Sequence, residues 1–549
     1  MGKLGSIATA ARQKAADKAF EIKVLREAGI LGLHRPDESL KVISTFLRWG
    51  PSPATGIKTA AIHYPDETAL IDERGSLSFE QLHRRSNALA HAFERMGIGH
   101  GDGVGIMCRN HRGFIEATLA AAKLGASALY LNTMFAGPQL VEVTRREGPK
   151  VLVYDEEFTE LLDSVDEGVQ RVVGWVEGEP GAPTLDSLIA SAGDSDLKPP
   201  PDKPRFVILT SGTTGTPKGA QRSSPDGLLA MAALIDKIPY RSRDTMMVAA
   251  PLFHSWGFFH FVMSLPTAST LVLRRRFDPE ETLRAVQEHR AQVLAVVPVM
   301  LQRVLQLAEE TLASYDLSSL RITSLSGSAL PGELAIEWMD RFGDNIYNLY
   351  GSTEVAYATV ATPEDLRVAP GTAGRPPRGT VVRLYDEQGR EVPRGEVGRI
   401  FVGNEMSFEG YTGGGGKEVI DGLLSSGDVG HLDSGGHLFV DGRDDEMIVS
   451  GGENVFPREV EDLLADHDAV VEVAVIGVED DEYGQRLKAF VVVAEEADVS
   501  EEELKSHVKA HLAGYKAPRE VEFMAELPRN ATGKILKREL VAREAEKSA

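Results

Sequence analysis

From Thr68 to Tyr154 short apolar runs alternate with longer amphipathic stretches. Ala69–Asp72, Val104–Met107, Leu129–Leu131 and Val151–Tyr154 read as strands, with helices predicted at Phe79–Met96 and Gly113–Leu124 between them. Strand, helix and strand at that spacing predict a parallel sheet covered by helices. Leu294–Val297 and Ile322–Leu325 read as buried strands of the same kind, and Val470–Val478, Ala489–Val493 and the Glu501–Leu512 helix predict a further unit near the end. At the start, Ile7, Ala11, Ala15, Ala19, Ile22 and Leu25 recur at helical spacing, so Ile7–Leu33 reads as a helix. Its basic residues Arg12, Lys14, Lys18, Lys23 and Arg26 outnumber Asp17 and Glu21, which suits a membrane surface. The alanine-rich face and the absence of a Trp or Phe cluster favour packing on the main body instead. Pro51-Ser52-Pro53 reads as a linker, and Leu185-Asp186-Ser187-Leu188 as a helix start capped near Asp186 or Ser187.

The chain has 549 residues, room for about three or four core-sized units. A net charge of −23 argues against nucleic-acid or anionic-membrane binding as a general property. Cys108 is the single cysteine, which excludes an internal disulfide and a cysteine metal cluster and fits a reducing compartment. No apolar run approaches the ~18 residues a membrane span needs, and no secretory pattern opens the chain. The opening Met1-Gly2-Lys3-Leu4-Gly5-Ser6 formally fits the myristoylation pattern, but a lysine after the glycine disfavours it. A cytoplasmic location follows as the expectation, with peripheral membrane contact through the first helix left open.

The chemistry concentrates at Thr210-Ser211-Gly212-Thr213-Thr214-Gly215-Thr216-Pro217-Lys218-Gly219, directly after the apolar run Phe206–Leu209. Glycines, hydroxyls and one lysine leave N–H groups, O–H groups and a cation free to face polyphosphate. The spacing is not that of the Walker loop. In Gly327-Ser328-Ala329, small residues at the carboxyl end of a strand let a planar ring approach the backbone. Asn348-Leu349-Tyr350-Gly351-Ser352-Thr353-Glu354 adds an aromatic face for a base, a turn, and a hydroxyl beside a carboxylate, oxygen donors suited to Mg2+. Asp428, on the Ser426-Gly427-Asp428 turn, suits vicinal ribose hydroxyls.

These stretches, with Pro251-Leu252-Phe253-His254-Ser255-Trp256-Gly257-Phe258, Gly442-Arg443-Asp444-Asp445, Ser450-Gly451-Gly452 and Arg529-Asn530-Ala531-Thr532-Gly533-Lys534, make the chain resemble the adenylate-forming superfamily in its acyl-CoA synthetase branch, from about residue 50 onward. The resemblance implies an α/β fold: an N-terminal helical extension (1–50), a large adenylation domain of β-sheets covered by helices (51–444), and a small mobile α+β C-terminal domain (445–549). It implies that Thr210, Ser211, Gly212, Thr213, Thr214, Gly215 and Lys218 bind ATP phosphates. Gly327, Ser328, Ala329, Tyr350 and Gly351 meet the adenine, Thr353 the α-phosphate, and Asp428 with Arg443 the ribose. Thr210 and Glu354 hold Mg2+, His254 positions the carboxylate, and Trp256 and Phe258 border the acyl tunnel. Asp445 is the implied hinge, Gly452 borders the coenzyme A channel, and Lys534 is the catalytic lysine. His260 has no counterpart and reads as structural. Where many relatives carry a helical segment, Thr412-Gly413-Gly414-Gly415-Gly416-Lys417 stands here, and reads as a mobile surface loop.

The activity so implied joins a carboxylic acid, medium- or long-chain fatty in the leading reading, to AMP and then to coenzyme A. The alternative is an acyl-AMP ligase loading a carrier protein, though the insertion common in such relatives is missing. A dead nucleotide-binding scaffold would be expected to lack Lys534 or Glu354.

Overall fold

The computed structural model describes residues 3–32, 34–202, 204–210, 218–222, 227–406, 408–412, 414, 416–450, 453–480, 484–494, 497–512, 514–530 and 533–548; within these spans the side chains of Thr210, Lys218 and Asp445, among others, stand outside the description. Among the described residues the strands form four sheets. The largest runs, in spatial order, Thr359–Ala361, Ile346–Tyr350, Ile322–Leu325, Val293–Val296, Thr245–Val248, Thr270–Leu273, Thr68–Asp72 and Gly75–Ser78. It is parallel except at its two edges. A second sheet runs Phe408–Tyr411, Lys218–Arg222, Phe206–Thr210, Ser127–Tyr130, Gly103–Met107, Pro149–Asp155 and Gln170–Trp175.

One apolar core joins these sheets, with Leu70 and Val272 from the first and Val104 and Val151 from the second. The Arg112–Leu124 helix is buried over its whole length, because alanine and larger apolar residues cover nearly every side of it. Its three charged residues are satisfied locally: Arg112 Nε donates to Asp72 Oδ2 at 2.9 Å, Arg85 pairs with Glu116, and Lys123 Nζ donates to Asn87 Oδ1 at 2.6 Å, Ser86 Oγ at 2.7 Å and the His83 carbonyl at 2.8 Å. Unpartnered, any of these charges would be strongly destabilising there.

Three helices open the chain: α1 (Lys3–Glu27), α2 (Pro36–Trp49) and α3 (Pro53–His63). α1 packs on the Leu229–Lys237 helix, with Val24 and Leu25 buried, and Arg378 donates to Asp17 Oδ1 at 3.0 Å. The stretch read as a linker is instead a helix start. Ser52 Oγ accepts the Thr55 N–H at 3.2 Å and Pro53 occupies the first turn, where a missing N–H costs nothing. The later cap also differs from expectation: Thr184 caps the Leu185–Ala190 helix, and Ser187 is its reciprocal partner three residues on. No described helix is long and apolar enough to cross a membrane.

Beyond a third sheet, whose last strand is Leu438–Arg443, a single turn at Asp444–Glu446 leads to the C-terminal unit. There Val470–Asp480 pairs with Gly484–Val493, and the Pro457–Ala465 and Glu501–His511 helices cover a core containing Val473, Val475, Leu487 and Val491. The described fold is thus a large mixed α/β domain followed by a small one. They touch where Gln302 Nε2 donates to the Val471 carbonyl at 3.2 Å.

Candidate active site

Thr245–Val248, Val293–Val296, Ile322–Leu325 and Ile346–Tyr350 are adjacent and parallel, so their carboxyl ends emerge together. Three of them run into segments singled out by sequence, Pro251–His254, Gly327–Ala329 and Tyr350–Glu354, and Val293–Val296 runs into Val297–Val299, which sequence reading left without a role. This is where an open parallel sheet places its ligands. These segments, with Asp428, Arg443 and Lys534, line a cavity of about 1650 Å³. That volume exceeds the usual ~300–1,000 Å³ of a site for one small molecule.

Gly327 sits at φ +96°, a conformation that favours glycine, one residue beyond Ser326 at the end of the Ile322–Leu325 strand. Gly351 is required for a different reason than expected. A Cβ there would stand 2.2 Å from the Ala356 carbonyl oxygen, so the close approach is to the chain's own backbone. Strand pairing sets Asp428 opposite Arg443, and Arg443 Nη1 donates to Asp428 Oδ1 at 3.3 Å. Tyr350 donates its hydroxyl to Asp428 Oδ2 at 2.6 Å. Burial, then the neighbouring Asp428 charge, push the Tyr350 phenol well up, so it remains a donor. Burial also raises the Asp428 carboxyl, against the opposing pull of Arg443, Tyr350, Lys534 and Lys417.

Glu354 accepts the Tyr411 hydroxyl on Oε1 at 2.6 Å and the Ser352 hydroxyl on Oε2 at 2.9 Å. Both are neutral donors, so the carboxylate charge is oriented into the cavity wall without being cancelled by them. A single carboxylate with hydroxyl oxygens fits Mg2+ shared with phosphate. Thr210 pairs with Lys218 across an antiparallel hairpin at the carboxyl end of Phe206–Thr210. Ser211, Gly212, Thr213, Thr214, Gly215 and Gly452 lie outside the described residues.

His254 precedes the Ser255–Ser264 helix, and its Nε2 is shielded with no hydrogen-bond partner among the described residues. Burial lowers its pKa to about 4, so the imidazole is neutral at physiological pH and offers a hydrogen bond rather than a charge. An unpaired buried nitrogen at a cavity wall is costly unless a ligand meets it. Trp256 is more tightly held than a tunnel wall requires: Nε1 donates to the Val296 carbonyl at 3.1 Å and more weakly to that of Ser324 at 3.3 Å. It tethers the helix to the Val293–Val296 and Ile322–Leu325 strands, with part of its ring at the cavity. Phe258 faces the cavity and packs on Tyr130 and Phe206. His260 is structural, donating from Nδ1 to the Trp256 carbonyl and accepting the Tyr240 hydroxyl at 3.1 Å.

His83, His254 and His260 are each lowered to about 4, chiefly by burial. Unfolded, each titrates near 6.5, so between these values the unfolded chain binds more protons and stability falls as pH drops. Urea unfolding at fixed pH should show this decline, and His260→Gln should lower its slope by about 1.4 kcal/mol per pH unit.

Lys534 reaches the site on a turn closed by Asn530, whose N–H donates to the Lys534 carbonyl and whose carbonyl accepts the Gly533 N–H, both at 2.9 Å. The Asn530 side chain also accepts the Lys534 N–H at 2.9 Å. Lys534 is near enough for its charge to act on Asp428. Sequence reasoning missed two partners. Gly533, at φ +77°, packs so closely that a Cβ would lie 2.1 Å from Val299 Cγ1. Lys417, expected on a surface loop, lines the cavity beside Asp428. A lone lysine after four glycines gives no periodic signal, but a cation that close to an active-site carboxylate is legible in space.

The model of the AMP-binding enzyme family matches residues 57–412, and that of the AMP-binding enzyme C-terminal domain matches residues 459–534. An indoleacetate–CoA ligase of Aromatoleum aromaticum is 33% identical over 501 residues, covering 87% of this chain and 96% of that one. A fatty acid–[acyl-carrier-protein] ligase of Streptomyces coeruleorubidus, ScoC, is 31% identical, covering 87% and 94%. The crystal structure of the anthranilate CoA ligase AuaEII in complex with anthranoyl-AMP superposes with a TM-score of 0.80 at 26% identity, over 90% of this chain and 96% of that one.

Proposed function

Since this chain belongs to the AMP-binding enzyme family, as an AMP-forming acid–thiol ligase, we propose that it activates a medium- or long-chain fatty acid as acyl-AMP and passes the acyl group to coenzyme A. The observation that carries this reading is the joining of a polar end, with Lys534, Glu354 and Asp428, to an apolar end along Phe258, Phe259, Val262 and Met263 in one cavity. The fatty acid named for the ScoC relative supports the acid class, while the carrier protein in the same name supports the alternative acceptor.

A carboxylate is a poor acyl donor, because its oxygen is a poor leaving group at neutral pH. Attack of a carboxylate oxygen on the α-phosphorus of ATP expels pyrophosphate and leaves AMP as the group to be displaced. Charge builds on phosphoryl oxygens in that step, so positioned cations dominate the barrier. Lys534 supplies one, and Arg443 with Asp428 fixes the ribose. Neutral His254 orients the acid's carboxylate by hydrogen bonding. Glu354 and Thr210 would hold Mg2+, which neutralises polyphosphate charge when bound. The second step is attack of a thiol on the acyl carbon, with release of AMP; we assign its access to a swing of the C-terminal unit about Asp445.

A pyrophosphate-release screen across fatty, aryl and sterol-side-chain acids, with acyl-CoA detected by mass spectrometry, tests the reading. Release and acyl-CoA formation strongest with fatty acids are expected. Turnover confined to aryl acids would refute the substrate. Acyl-AMP that ignores coenzyme A but loads a carrier protein would establish the alternative.

A further inference from the structure

Among the described residues of 30–46, Ile30, Leu31, Val42 and Phe46 line the same cavity as His254. This wall precedes the family match, which begins at residue 57. It is held in place from α1: Ala28 is buried, its carbonyl accepts the Ser242 N–H at 2.7 Å, and Gly29 turns the chain at φ +77°. α2 then presents Val42 and Phe46, one turn apart on one face, to the cavity. A helix serving only to pack would bury such residues. In α2 only Thr45 is buried, and cavity-lining Phe46 is 43% exposed.

The path between the site and α2 is lined largely by apolar side chains. The Ser255–Ser264 helix lines it with Ser255, Phe258, Phe259, Val262 and Met263, a face spanning about 12 Å at ~1.5 Å per residue. Resting on the function proposed above, we infer that α2 is the distal wall of the acyl site: the acid lies along this helix with its carboxylate at His254 and its methyl end against Val42 and Phe46. The bulk at those positions then sets which long acids are accepted, and the N-terminal extension is a specificity element. Each methylene placed there contributes about fourfold in kcat/KM, from ~0.8 kcal/mol of burial.

Val42→Trp and Phe46→Ala test this with octanoate, whose tail ends alongside the Ser255–Ser264 helix, and palmitate, whose tail reaches α2. Val42→Trp fills the distal end and Phe46→Ala removes its contact, so both should lower kcat/KM for palmitate about tenfold or more, through KM, and leave octanoate within about twofold. Leu47→Gln, on the outward face of α2 where Leu47 is 80% exposed, should leave the palmitate-to-octanoate ratio unchanged. Equal changes for both acids in Val42→Trp and Phe46→Ala, or none, would overturn the role of α2 while leaving the fatty-acid reading intact. A wild-type enzyme that activates aryl acids and neither of these would overturn both.

Discussion

Replacing Lys534 by alanine is expected to abolish acyl-adenylate formation while leaving thioester formation from supplied acyl-adenylate near the wild-type rate. The lysine lies at the cavity, its N–H held by the Asn530 side chain, where its charge acts on Asp428. Loss of one positioned group of this kind costs about 10²–10³-fold, or ~2.7–4 kcal/mol of barrier. The thiol step develops charge at the acyl carbonyl and needs a path for coenzyme A, which the proposed swing about Asp445 would open by carrying Lys534 away. The two half-reactions should therefore separate, as read by pyrophosphate release and by coenzyme A acylation from synthetic acyl-AMP. Equal loss in both would contradict the role given to Lys534.

Gly533→Ala should impair adenylation by about ten- to a hundredfold without altering the thiol step. The left-handed conformation costs a non-glycine residue ~1–2 kcal/mol, and the new Cβ would overlap Val299 Cγ1, 2.1 Å away. Val299 is β-branched and lies in the first turn of the Pro298–Leu305 helix, so its side chain has few rotamers to yield into. The turn must shift instead, and Lys534 moves with it. Adding Val299→Ala should restore part of the loss, because it relieves the overlap but not the backbone strain. Full activity in Gly533→Ala would show that this contact does not position the lysine.

The large domain was legible because its elements carry clear periods. Ile322–Leu325 is reproduced residue for residue, and the predicted Val104–Met107 and Val151–Tyr154 strands differ from those observed only at their ends. α3 escaped notice because Pro51-Ser52-Pro53 read as a breaker, although Ser followed by Pro is also a helix-start pattern. At the site, sequence indicated residue types but not their mutual arrangement. Tyr350 invites a stacking role, yet its bond to Asp428 depends on two strands from different sheets. Gly533 looked like an ordinary turn glycine, since its reason lies at Val299 in the other domain. Lys417 and the α2 wall have the same origin: neither departs from ordinary composition, and only packing brings them to the cavity.

Acid-dependent exchange of labelled pyrophosphate into ATP, measured on the wild-type protein without coenzyme A, most directly tests whether these segments assemble one adenylation site. Exchange that requires both a carboxylic acid and Mg2+ is predicted. Folded protein that binds ATP but catalyses no exchange with any acid would contradict it.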